Sequence, residues 1–183
     1  MSNWRFNRNG LKDGAFVGDI WPDVDKTVIY PRLLEWEIDA KKMRVIVDPW
    51  EFVFTGGTMA AIPFFKGEIE ISTYTLDNYR TDEAKYVGLV HELAHLLHAV
   101  EGNIELTGKP AMSPEQWIAR ETEQDAIHWS AKQAKLMGWS LPKFEDAIEQ
   151  RYSDASRYIL KKIVGAGKSV WVRQHIRKRP RSI

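Results

Sequence analysis

The chain has 183 residues and no cysteine, which excludes disulfides and every thiolate metal site. Its 26 Lys and Arg against 25 Asp and Glu, with 44% apolar residues, are ordinary for a soluble globular protein of one domain, 1–183, large enough to bury a core without staples. No run of eighteen apolar residues exists, and the first residues lack the apolar block of a secretory signal, so neither a membrane span nor export is expected.

Residues 1–42 are rich in Trp and Asp and carry several turn signals. Trp21-Pro22-Asp23 and Tyr30-Pro31 predict extended or turning backbone before each proline. From Met43 to Thr73 the pattern changes to short β-type runs at 44–47, 52–55, 59–65 and 68–72. Asp48-Pro49, Gly56-Gly57 and Lys66-Gly67 separate them as hairpin-type connections, which predicts a small antiparallel meander. In 68–72 isoleucine and glutamate alternate, so one face is expected to be wet. Charges on that face suit an edge strand, which can accept an extended peptide as a further strand.

A helix is predicted next. Thr81 or Asp82 can cap it, Asp82 and Glu83 occupy its first turn, and Val87, Val90, Ala94 and Leu97 recur as a buried stripe. Gly102-Asn103 stops it. Inside lies His91-Glu92-Leu93-Ala94-His95. Histidines four apart share a helix face and can share a metal ion, and the glutamate beside the first can serve as a base toward a water on that ion. That is the ligand-plus-base layout of a zinc peptidase.

A second helix is expected to begin at Ser113-Pro114-Glu115-Gln116, with a Ser cap and Pro at its first position, and to run to about Met137 before Gly138. Ser140-Leu141-Pro142 opens a third, with Phe144, Ile148, Tyr152, Ala155, Ile159 and Ile163 as its core stripe. The segment 161–183 holds eight Lys or Arg and no acid, so residues 1–160 carry a net −7 within the chain's total of +1. Such a basic segment suits nucleic acid, an acidic protein surface or plain solvation.

Two histidines leave a tetrahedral zinc short of one protein ligand. Glu121 and Asp125 are four apart on the second helix, and His128 continues that face. Glu121 can bind the metal while Asp125 accepts the outer N–H of a ligating imidazole. His128 can be the ligand itself or contact the oxyanion of the tetrahedral intermediate. His98 shares the face of His91, but its ring would stand about 10 Å along the axis.

The alternating strand, His91-Glu92-Leu93-Ala94-His95, and then Glu-x-x-x-Asp at Glu121 and Asp125 resemble a Glu-zincin metallopeptidase, most closely the minimal ImmA/IrrE-like family. The resemblance covers roughly residues 43–137, the expected catalytic core. It implies an α+β zincin-like fold, with a small antiparallel sheet packed on the active-site helix and further helices after it. It also implies zinc on His91, His95 and Glu121, Glu92 as general base, Asp125 behind a ligand, and a cytoplasmic protein, or a virion protein if phage-encoded. Glu101 stands where another zincin group has its third ligand, but that arrangement needs a glycine where this chain has His98. The expected substrate is a protein or peptide bound along 68–72. The rival expectation is an assembly protein, of a phage or other mobile element, that keeps a zincin fold with a structural or vestigial metal; Trp4, Trp21, Trp36 and Trp171 would anchor its contacts.

Overall fold

The structure, a computed structural model, describes residues 5–48, 59–61, 67–72, 80–102, 116 and 119–151. The expected strand at 52–55, most of that at 59–65, the helix start at Ser113-Pro114, the stripe from Tyr152 to Ile163, Trp4, Trp171 and the basic segment 161–183 lie outside these residues.

The N-terminal part is built from short pieces. They are 3-10 turns at Arg8–Gly10, Val24–Lys26 and Ala40–Lys42, and helices α1 (Val17–Ile20) and α2 (Ile29–Glu35). None is long enough to display a hydrophobic period. Together they still bury Val17, Ile20, Trp21, Val24, Leu33, Ile38 and Met43 at 1% exposure or less. Trp21 is therefore core, meeting the Tyr86 ring edge-on at 4.8 Å, while Trp36 stays on the surface. Tyr30 corrects the expectation of extended or turning backbone before proline. It is helical, because Pro31 lies in the first turn of α2, where an amide N–H has no intrahelical acceptor to lose.

α2 ends with the Ile38 N–H donating to Leu33 O and the Glu37 N–H to Leu34 O, both at 2.9 Å, with Glu37 at φ +60°. This is the Schellman arrangement, whose left-handed position normally belongs to glycine. Gly138, at φ +79°, holds the equivalent position later in the chain. Glu37→Gly is expected to raise stability by about 0.5–1 kcal/mol, the relief at Glu37 outweighing the gain in unfolded-chain entropy. Urea unfolding measures it; a lower midpoint would show that Glu37 makes contacts worth more than the backbone relief.

The sheet has three described strands, β1 (Arg44–Asp48), β2 (Met59–Ala61) and β3 (Glu68–Ser72), in the order β1-β3-β2. β2 is antiparallel to β3, but β1 is parallel to it, in a register that sets Arg44 beside Glu68 and Val45 beside Ile69. This corrects two expectations. The sheet is mixed, not an antiparallel meander, and 68–72 is its central strand, not an edge. Alternation reports which face is wet and says nothing about neighbours in the plane. The outer edge of β1 is covered too. Gly14 donates to Val45 O, Val45 donates to Ala15 O and Val17 donates to Met43 O, each at 2.8 Å.

Helix α3 (Asp82–Val100) starts at Thr81, whose Oγ1 accepts from the Ala84 N–H at 3.2 Å, and ends at Gly102, φ +73°. Fourteen of its nineteen residues are buried, so it is the central rod of the fold and not a surface helix with one apolar stripe. α4 (Glu121–Leu136), α5 (Leu141–Arg151), α2 and β2 pack around it. α4 begins at Glu121 after a turn and bend at residues 119–120, so the helix expected from 113 to 137 is interrupted there. The fold is thus a mixed one, helices around a small sheet. Among the described residues no helix is long and apolar enough to cross a membrane.

Candidate metal centre

His91 and His95 stand one turn apart on α3, and their rings meet edge to face with centroids 4.5 Å apart. Their Nε2 atoms are separated by 2.9 Å. Glu123, in the first turn of α4, completes the group. One carboxylate oxygen lies 3.1 Å from His91 Nε2 and the other 3.2 Å from His95 Nε2. The side chains of His91 and Glu123 are 2% and 5% exposed and that of His95 20%, so the group opens on the His95 side.

Burying two imidazoles and a carboxylate together is expensive unless something compensates. The pair of imidazoles does so partly by itself. Burial works to raise the pKa of Glu123, but hydrogen bonds and charges from His91 and His95 outweigh it and hold the carboxyl well below the usual carboxylate range. Glu123 is therefore anionic at neutral pH, the form a cation requires. The buried group His91, His95 and Glu123 can bind a metal ion. Its donor set of two imidazole nitrogens and one carboxylate is that of a catalytic zinc with an open position, and such an ion holds its ligand atoms about 3.3 Å apart. The two Nε2 atoms are 2.9 Å apart, and each lies 3.1–3.2 Å from a different oxygen of Glu123; one donor atom from each residue lies within 4.8 Å of the others.

Glu92, next to His91 and expected as the base, is itself buried, at 6% exposure. Glu121, expected as the third ligand, is exposed and is not part of the group. Glu121 and Glu123 differ by two helical steps, about 200° around the axis, so only one of them can face α3. Asp125 is exposed as well, and His128 is half-buried; neither belongs to the three-donor group. His98 is buried, and burial holds its pKa below the ordinary value, aided by His95 and opposed by the charge of Asp125. Glu101, the remaining alternative, pairs with Arg32.

Sequence reasoning missed Glu123, although a signal was present. Three and four residues beyond it come Ala126 and Ile127, then Ser130, Ala131 and Ala134, all buried. A carboxylate at the head of that stripe faces the core. Compared with protein families, with curated proteins and with solved structures, the chain matches none. The assignment of a metal centre rests on the chain's own geometry.

Proposed function

We propose that the chain is a zinc-dependent peptidase in which His91, His95 and Glu123 hold the ion and Glu92 is the general base. The supporting observation is that the Nε2 atoms of His91 and His95 each lie within 3.2 Å of an oxygen of the buried Glu123 carboxylate, and that Glu92, next to His91 in the chain, is buried too. Zinc held there supplies Lewis acidity, which makes water nucleophilic near neutral pH and polarises a carbonyl. Glu92 takes the proton of the attacking water and passes it to the leaving amine. The burial of His91 and Glu123 closes the inner side of the site, so a substrate approaches past His95.

An extended substrate cannot pair with 68–72, whose two edges are occupied by β1 and β2. β2 is the outer strand on that side among the described residues, and it packs on α3. It is the strand along which a peptide would lie straight across the site.

The test is metal content followed by metal removal. About one zinc per chain is expected by elemental analysis of protein made without a histidine tag. Cleavage of a quenched fluorescent peptide library is expected to stop on chelation and to return when zinc is restored. Cleavage that survives complete removal of the metal would sink the proposal.

A further inference from the structure

The ligands come from two helices, so the centre exists only while α3 and α4 keep their register. Glu123 is the third residue of α4, in the turn of a helix most prone to fray. The buried stripe of α4 packs on α3, and a neighbouring element adds a further hold close behind it.

α2 provides that hold at two points. The guanidinium of Arg32 pairs with the carboxylate of Glu101, the residue that ends α3, and lies over the Trp129 ring of α4, 5.8 Å from its centroid. Lys132 also approaches that ring, at 4.8 Å. At the other end of α2 the Val28 N–H donates to Oε1 of Gln133, a fully buried residue of α4, at 3.2 Å. One guanidinium therefore touches the end of α3 and the middle of α4 together. Arginine suits both contacts, since its plane offers donors to a carboxylate at its edge and a flat cationic face to an indole.

We infer that Arg32 is a positioning residue for the metal centre, clamping α3 to α4 and so setting Glu123 against His91 and His95. The inference rests on the metal reading above. Apparent metal affinity falls in proportion to the fraction of chains whose helices are in register. Even at the modest values of surface contacts, a half-buried ion pair and a half-buried cation–π contact are each worth a factor of about two to five. Removing both at Arg32 is thus expected to weaken metal binding by up to about tenfold, the limit reached where the metal-free helices are mostly out of register.

Cobalt(II) titrated into the metal-free full chain tests this, because its visible absorption reports both affinity and ligand geometry. The parent is expected to bind one cobalt, Arg32→Met to bind it up to about tenfold more weakly with an altered spectrum, and Arg32→Lys to recover part of the loss. Glu101→Gln is expected to weaken binding as well, and the double variant by less than the product of the two, as coupled partners do. Far-UV circular dichroism identifies a variant that has not folded. If Arg32→Met, or Glu101→Gln should Arg32→Met not fold, binds cobalt with the parent's affinity and spectrum, the inference is wrong. A parent that binds no cobalt overturns the metal reading itself and this inference with it, an outcome recognisable without any variant.

Discussion

Glu123→Gln is expected to weaken zinc binding by at least about a hundredfold, more than the loss of a group that merely orients a ligand. Glu121→Gln, two residues away, is expected to leave affinity unchanged. The side chain of Glu123 is 5% exposed and within 3.2 Å of both Nε2 atoms, whereas Glu121 faces solvent. Glutamine keeps the shape of the side chain and removes its charge, so what is lost is the anion that neutralises the metal, not the packing around it. Competition with a chromophoric chelator measures both variants. If Glu121→Gln loses zinc and Glu123→Gln keeps it, the assignment drawn from the geometry is reversed.

Glu92→Gln is expected to retain zinc at the parent's stoichiometry and to lose cleavage by about a hundredfold to ten-thousandfold, the usual contribution of a positioned general base. The substitution is nearly isosteric at a site that is 6% exposed, so α3 should keep its packing. The loss should fall on the rate constant of the chemical step and leave the Michaelis constant little changed, since the missing interaction belongs to the transition state. Cleavage undiminished in a zinc-loaded Glu92→Gln protein would remove Glu92 from the role of base.

The contrast between Glu92 and Glu123 shows where the amino-acid sequence is legible. His91, Glu92 and His95 lie within about one helical turn, so spacing alone brings them onto adjoining positions. Thr81 and Gly102, which bound the helix, are equally local and behave as their types suggest. The third ligand depends on the phase of a second helix. A search that follows polar residues at four- and seven-residue spacing, from Glu121 to Asp125 and His128, traces the wet face of α4. A ligand for buried imidazoles has to sit on the dry face, and only the small and apolar residues from Ala126 to Ala134 mark it. The parallel pairing of β1 with β3 is less visible still. It joins residues 24 apart with another strand between them, and nothing in either strand names its partner. In the N-terminal part the difficulty is length, because elements of three to seven residues are too short to display a period.

The interval from His95 to Glu123 would give a bound metal a role apart from the proposed chemistry. A metal ion held by both helices would tie the two ends of a loop of 28 residues to one atom, in a chain that has no cysteine to do so. A covalent cross-link closing a loop of that length restricts the unfolded ensemble by roughly 3–4 kcal/mol in the chain-entropy account. The ion would then be a fastener that reducing conditions cannot open but a chelator can, and saturation with metal would become part of what keeps the two helices in one folded unit.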